Sequence, residues 1–424
     1  MNYRSKQRHI DPSPEQAEAV EQLNSFVASK GGGEFGLFGA AGTGKTSVIG
    51  YLFESYRDLE FDSVCLTAPT HKATGVLADK AGPFIDCQTV HSLLGCRKNY
   101  NEDTGEIEFL PDPDREQIKR YEVVVVDECS MIGDRLRGWI MEAAERNKTK
   151  IIWLGDPYQL PPVKDGESSP CFNVKSSIEL KHIMRHQGII QSTCDAVREA
   201  IIADQSPPFA ETAKDEHGEI VTFRNSQDGF GSFFDAFLED PRGSKALAFK
   251  NDDVDFLNNY VRQRLYGEDP DPFVPGERLV FVSTHEPDHG IMMHTGTECS
   301  IVEINEDRVL GLDCYRLYVE RDDDEGAEVY AFGITEQRKA YMNRLKDLRA
   351  RGRSGSGWKP YFSLKEKFAH LRPGYATTIH KSQGSTYDRV FLLQSELKEL
   401  WDDRLLARLL YVAYSRTRKQ LLLI

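Results

Sequence analysis

Leu37-Phe38-Gly39-Ala40-Ala41-Gly42-Thr43-Gly44-Lys45-Thr46 decides how this chain is read. Residues 39–46 fit G-x-x-x-x-G-K-[ST] in full. The apolar run from Phe35 to Phe38 predicts a strand before them, and Ser47-Val48-Ile49-Gly50-Tyr51-Leu52-Phe53 is compatible with a helix after them. Strand, glycine loop and helix in that order are what a phosphate-binding P-loop requires. Glycines let backbone N–H groups curl round a phosphate chain without Cβ clashes, and the helix N-terminus adds partial positive charge. Gly39, Ala40, Ala41, Gly42, Thr43 and Gly44 would form the cradle. Lys45 would reach the β and γ phosphates, and Thr46 would offer its hydroxyl to Mg²⁺. A dinucleotide-binding turn is excluded, because Ser47 stands where its third glycine belongs. The loop predicts a nucleoside triphosphate, and what the energy drives must be read elsewhere.

The 424 residues suffice for two or three domains with real cores. No apolar run reaches the roughly 18 residues a membrane helix needs. Residues 1–11 lack the apolar stretch of a signal peptide. The eight cysteines are irregularly spaced, several within apolar strands such as Val64-Cys65-Leu66, and read as reduced, buried thiols of a cytoplasmic protein. A net charge of −14 argues against indiscriminate coating of nucleic acid. It leaves room for a local basic groove, because affinity follows the local field.

Along the chain, Ser13 or Asp11 can cap a helix with proline in its first turn, and Gln16 on that helix could read an adenine edge. Thr70, His71 and Lys72 emerge at the end of the strand around Val64-Cys65-Leu66, where open α/β sheets bind ligands. His71 and His91 are, each alone, better explained by helix capping or a surface position than by function. Residues 99–110 predict a small hairpin carrying Phe109, with Asp103-Thr104-Gly105 as its turn. Val123-Val124-Val125-Val126 predicts a strand buried on both faces, ending in two carboxylates. Asp127 can hold Mg²⁺ through water, and Glu128 can orient or deprotonate the attacking water. Ile151 to Leu154 predicts another strand, and Gln159 in the loop beyond can sense the γ-phosphate.

A second α/β unit begins near Lys245, and residues 276–335 are strand-rich with polar turns, a barrel-like spacing. Residues 338–368 then hold ten Lys or Arg against two acids, with Trp358, Tyr361 and Phe362 interleaved. Basic residues can track a phosphate backbone while aromatics stack on bases. A basic solvated helix with a packed tryptophan is the plainer alternative. Arg416, leaving an amphipathic helix far from the P-loop, has the form of an arginine finger.

Together, residues 39–46, Ala68-Pro69-Thr70-His71, Thr89-Val90-His91-Ser92, Asp127-Glu128, Gly155-Asp156-Pro157-Tyr158-Gln159-Leu160-Pro161-Pro162, Thr378-Ile379-His380-Lys381-Ser382-Gln383-Gly384 and Tyr411-Val412-Ala413-Tyr414-Ser415-Arg416 resemble the ordered motifs of superfamily-one DNA helicases, in their RecD-related branch. The resemblance spans nearly the whole chain.

It implies an α/β fold of two RecA-like P-loop domains with parallel sheets, an inserted β-hairpin pin, and an inserted SH3-like barrel with a helical tower. By position, the first RecA-like domain would take residues 1–96 and 119–172, and the pin 97–118. The second would take 173–275 and 373–424, and the barrel and tower 276–372. It implies ATP and Mg²⁺ in the cleft between the two domains, and 5′-to-3′ movement on single-stranded DNA. Lys45, Glu128, Gln159, Arg185 and Arg416 would be catalytic. Gln16, Gln383 and Gly384 would join the P-loop around the nucleotide, and Thr46 and Asp127 would serve the metal. Thr70, His71, His91, Phe109, Trp358, Thr378 and His380 would meet DNA, with Phe109 splitting the duplex. The expected partners are single-stranded and fork DNA, with replication or recombination proteins such as a single-strand-binding protein. A cytoplasmic monomer in a bacterial or phage-infected cell is expected. An ATP-switched nucleic-acid-binding protein without processive unwinding and an RNA-directed helicase stay open as alternatives.

Overall fold

The alternation along Val123–Val126 builds the first sheet's two faces. Val123 and Val125 point into one apolar layer with Leu23, Leu37, Leu52 and Ile152, and Val124 and Val126 into the other with Phe38, Ile140 and Trp153. Side chains alternate along a strand, so a run of β-branched residues serves a sheet covered on both sides. Each fully buried valine contributes roughly 1.5–3 kcal/mol. One polar group in this core, the Trp153 indole, donates to Glu34 Oε2 at 2.8 Å, and Arg137 holds the same carboxylate at 2.8 Å.

The computed structural model describes residues 11–55, 63–81, 85–101, 106–162, 168–182, 188–223 and 226–424. The first sheet has six parallel strands in the order Asp86–Thr89, Val64–Ala68, Val123–Val126, Lys150–Gly155, Gly33–Gly39, Ser177–Leu180. Lys150–Gly155 lies between the P-loop strand and the strand that ends at Asp127. Residues 39, 127 and 156 therefore leave the same edge side by side, the carboxyl edge where α/β sheets bind ligands.

A second six-stranded sheet runs Ala376–Thr378, Ser244–Ala248, Tyr387–Leu392, Thr417–Leu423, Glu219–Thr222, Ala213–Lys214, parallel except for its last pair. The helix Asp403–Ser415 is buried around most of its circumference, from Leu406 to Tyr414. It packs with Leu160 and Tyr158 of the first unit as well as with its own sheet. Its broad apolar face is buried, with Asp403 and Arg404 at its exposed start, and the interior it fills spans two sheets.

Between the second sheet's strands Ser244–Ala248 and Ala376–Thr378 the chain leaves to form an antiparallel sheet. Its order is His289–Gly290, Gly326–Ala331, Leu312–Glu320, Glu298–Val309, Arg278–Phe281, Leu371–Pro373. The helices Thr335–Arg351 and Lys359–Lys367 rise from it. The first sheet carries its own excursion, the antiparallel pair Arg97–Asn101 and Glu106–Leu110.

Candidate functional site

Gly39, Gly42 and Gly44 have φ of 153°, 88° and 85°, conformations that L side chains rarely adopt. A Cβ at Gly39 would come within 2.6 Å of the Leu180 carbonyl, and one at Gly44 would collide with the Gln16 carboxamide. The loop is braced from within. Thr43 Oγ1 donates to Ala40 O at 3.0 Å, and Lys45 Nζ donates to Gly39 O at 2.7 Å and Ala40 O at 3.0 Å. Gln16 lies beneath the loop. Its Oε1 accepts from Ser13 N in a capping box, and its Nε2 donates to Thr43 O at 3.4 Å. Both ends of the carboxamide expected at an adenine are engaged with protein, and the residue is 3% exposed.

Beyond Val126 the chain turns at Glu128, which holds a left-handed φ of 53°. Glu128 N donates to Asp127 Oδ1 at 2.8 Å. Burial, then the charge of Asp127, pushes the Glu128 carboxyl up to about 7 against the pull of Arg416 and Lys45. Burial raises Asp127 as well, opposed by that Glu128 N–H and by Lys45. A bound divalent cation would offset part of this negative charge. Asp127 and the Thr46 hydroxyl, an oxygen donor set, fit Mg²⁺.

The second sheet reaches into the same cleft. The Cβ position of Gly384 lies 3.9 Å from Glu128 Oε1. Arg416 is 5% exposed, its guanidinium donating to Ser385 O at 3.1 Å, Val412 O at 3.2 Å and Ser415 Oγ at 3.0 Å. Gln383 Nε2 donates to Gln159 Oε1 at 3.4 Å and Leu160 O at 3.3 Å. Residues 39–46, 127, 128, 159, 383, 384 and 416 thus gather at one cleft. Arg185 lies outside the described residues. Two contributors escaped the sequence reading as site residues. Arg408 Nη1 donates to Pro157 O at 2.7 Å and Gln159 O at 2.6 Å, and Tyr411 donates to Asp156 Oδ2 at 2.7 Å. Their partners lie about 250 positions away, and no local pattern marks such pairs.

A channel of about 380 Å³ runs beside this cleft, bounded by all three larger sheets. Thr70, Lys72, Pro161 and Pro162 come from the first unit, Thr377, His380 and Lys381 from the second, and Val282, Thr295 and Arg372 from the antiparallel unit. Thr70 also caps its helix, Oγ1 accepting from Ala73 N at 3.2 Å. His71 stacks on His294 of the antiparallel unit, ring centroids 3.4 Å apart at 8°. Loss of hydration, with His294 and His91 nearby, lowers His71 to about 4. Thr378 is 7% exposed and its Oγ1 accepts from Lys381 N, so its neighbour Thr377 faces the channel instead. In the wall, burial pushes the Glu298 carboxyl up, but Lys245, Lys72 and Arg278 outweigh it and hold it at about 2.

Phe109 is 44% exposed on the hairpin, its ring 6.2 Å from that of His91. Trp358 is 6% exposed and buried with Tyr361, Phe362 and Ile107 of the hairpin. A Cβ on Gly352 would come within 2.7 Å of its indole. Tyr100 packs on Phe362 at 4.4 Å, and Lys98 pairs with Glu366 at 2.9 Å. The aromatics read as base-stackers join the hairpin to the helices instead.

A family model for the AAA domain matches residues 11–224, and one for the UvrD-like helicase C-terminal domain matches residues 373–424. Among curated proteins the chain is similar to an uncharacterized protein of Acanthamoeba polyphaga mimivirus, 24% identical over 95% of this chain and 97% of that one. It is similar also to the ATP-dependent DNA helicase dda of Enterobacteria phage T4, 27% identical over 90% of this chain and 92% of that one. Its fold is similar to the crystal structure of the Pif1 helicase from Candida albicans, with a TM-score of 0.53 at 17% identity over 98% of this chain and 94% of the other. The P-loop model spans half the chain and the helicase model covers its last strands, so the chain belongs to the AAA domain family and is a superfamily-one, ATP-hydrolysing DNA helicase.

Proposed function

We propose that this chain moves 5′ to 3′ along single-stranded DNA and unwinds the duplex it meets. The observation that carries the reading is the junction of cleft and channel. The loop of residues 156–160, held by Arg408 and Gln383 of the second unit, runs directly into Pro161 and Pro162 of the channel wall. A γ-phosphate contacted from both units would draw them together, and hydrolysis would release them. With DNA lying across both units and gripped by each in turn, every cycle becomes a step.

In this reading residues 1–96 with 119–172, and 173–275 with 373–424, are the two RecA-like motor domains. Residues 97–118 form the separating pin, and 276–372 an SH3-like barrel with its tower. Lys45 neutralises the β and γ phosphates, Glu128 orients the attacking water, and Gln159, Arg185 and Arg416 stabilise the charge on the transferring group. Thr46 and Asp127 would hold Mg²⁺, which supplies further charge neutralisation when bound. Gln16 braces the P-loop from below, beside the adenine. Thr70, His71, His91, Thr378 and His380 line or support the DNA path, and single-stranded and fork DNA are its substrates.

The test is unwinding of duplexes with 5′ or 3′ single-stranded tails in the presence of ATP. Activity confined to 5′-tailed duplexes is expected, and a Lys45→Ala protein that unwound them equally well would overturn the reading. ATP hydrolysis with neither movement on single strands nor unwinding would favour the ATP-switched binding protein instead. Phe109→Ala should impair unwinding more than translocation.

A further inference from the structure

We infer that the Tyr411 hydroxyl is a positioning group that links occupancy of the P-loop to the 156–160 loop, and through it to the nucleic-acid channel. The inference rests on the motor reading above and adds a residue to it.

Tyr411 sits on the helix Asp403–Ser415 of the second unit and is 2% exposed. Its oxygen accepts from the Ala41 N–H of the P-loop at 3.3 Å, and its own hydrogen goes to Asp156 Oδ2 at 2.7 Å. Asp156 is 1% exposed, and its other oxygen accepts from Tyr158 N at 3.0 Å. One hydroxyl thus joins a cradle amide to the carboxylate that shapes the loop. A buried phenol needs its partners, since an unpaired buried polar group costs about 1–3 kcal/mol.

Ala41 N–H belongs to a loop whose amides serve phosphate. A phosphate oxygen is a charged acceptor and makes a stronger hydrogen bond than a phenol oxygen. Phosphate in the cradle therefore competes with Tyr411 for this amide. When the amide turns away, the phenol keeps only Asp156, and the balance of forces on residues 156–160 changes. The same helix grips that loop a second time, through Arg408 on the carbonyls of Pro157 and Gln159. Pro161 and Pro162, the next two residues along the loop, line the channel. The path from phosphate to nucleic acid is short, buried and made of named hydrogen bonds.

The test is Tyr411→Phe, which keeps the ring against Tyr158, with centroids 6.2 Å apart, and removes only the hydroxyl. ATP hydrolysis is measured with and without an oligothymidylate. Oligothymidylate affinity is measured with ADP and with a non-hydrolysable ATP analogue. Stimulation by the oligonucleotide is expected to fall about tenfold, the order of one lost hydrogen bond. The difference in affinity between the two nucleotide states should shrink with it. KM for ATP should hold or fall, because the Ala41 amide is freed for phosphate.

Asp156→Asn breaks the link from the other end. Its oxygen stays with Tyr158 N, and its amide then faces the hydroxyl where an acceptor is needed. The same loss of stimulation is expected. Wild-type stimulation and wild-type nucleotide dependence in either folded variant overturn the inference. So does a raised KM with a lowered melting temperature in both, the mark of a packing role. A wild-type protein whose hydrolysis ignores DNA would instead overturn the motor reading beneath it.

Discussion

Glu128 occupies a left-handed backbone position, at φ 53°, that costs a non-glycine residue roughly 1–2 kcal/mol. The turn separates it from Asp127 at the strand end, so one carboxylate can face the metal and the other the water. Burial and the charge of Asp127 raise the Glu128 carboxyl, so it holds a proton more readily than a solvated glutamate, the direction a general base needs. Glu128→Gln keeps the shape and removes the base. Steady-state phosphate release should fall by about 10²-fold or more. Binding of a fluorescent ATP analogue should stay within about threefold, because the cradle amides and Lys45 are untouched. Full hydrolysis in this variant would remove Glu128 from the chemistry. The residues named from sequence here were legible because their meaning is local: a glycine loop before a helix, two acids after four valines. Tyr411 and Arg408 were not legible, because their roles exist only once residues about 250 or more positions distant are brought together. Gln16 was legible as a residue of the site, but not in its orientation, since a carboxamide that can read a base can equally cap a helix and hold a carbonyl.

At the scale of elements, a basic, aromatic-rich stretch has the same sequence whether its rings stack on bases or on one another, and Trp358 shows the second outcome. Trp358→Ala should cost about 3–5 kcal/mol of stability, the range for emptying a buried tryptophan site. Single-stranded DNA affinity should change less than twofold, whereas loss of a stacking platform would weaken it by about 1–3 kcal/mol. Unwinding should suffer more than DNA-stimulated hydrolysis, because the hairpin loses its hold on the helices. Calorimetry, fluorescence titration and an unwinding assay separate these outcomes.

The antiparallel unit carries a second test in His285, which is 6% exposed and held at about 4 by burial and by His370, with Lys367 and Lys98 assisting and Asp288 opposing. Its folded value lies below the ordinary 6.5, so the unfolded chain binds the extra proton first. The stabilisation is complete above pH 6.5 and is lost as the pH falls toward 4. Urea unfolding should show about 2 kcal/mol less contribution from this group at pH 5.0 than at pH 7.5. His285→Gln should flatten that part of the profile, and an unchanged profile would assign the pH dependence to other groups.

Across the whole molecule, charge is sorted rather than averaged. The chain carries −14 overall, yet Lys72, Lys381 and Arg372 line one channel, where Glu298 is already matched by Lys245 and Arg278. Burial first, then the neighbouring Arg372, lowers Lys381, a crowding only partly answered by Asp255, which pairs with Arg372 at 3.2 Å. A phosphate backbone relieves such crowding and releases its own counterions in exchange. The affinity for single-stranded DNA should therefore fall steeply with salt despite the acidic total. Lys381→Gln should make the slope of log K against log salt shallower by about 0.7, the value for one phosphate contact on a single strand. Lys419 is the matched control, an exposed lysine paired with Asp388 at 2.6 Å and absent from the channel wall. Lys419→Gln should leave the slope unchanged. If both variants shift it equally, binding follows net charge and the channel is not the path. If only Lys381 does, the local field decides affinity, and the acidic exterior is left to disfavour unspecific adhesion.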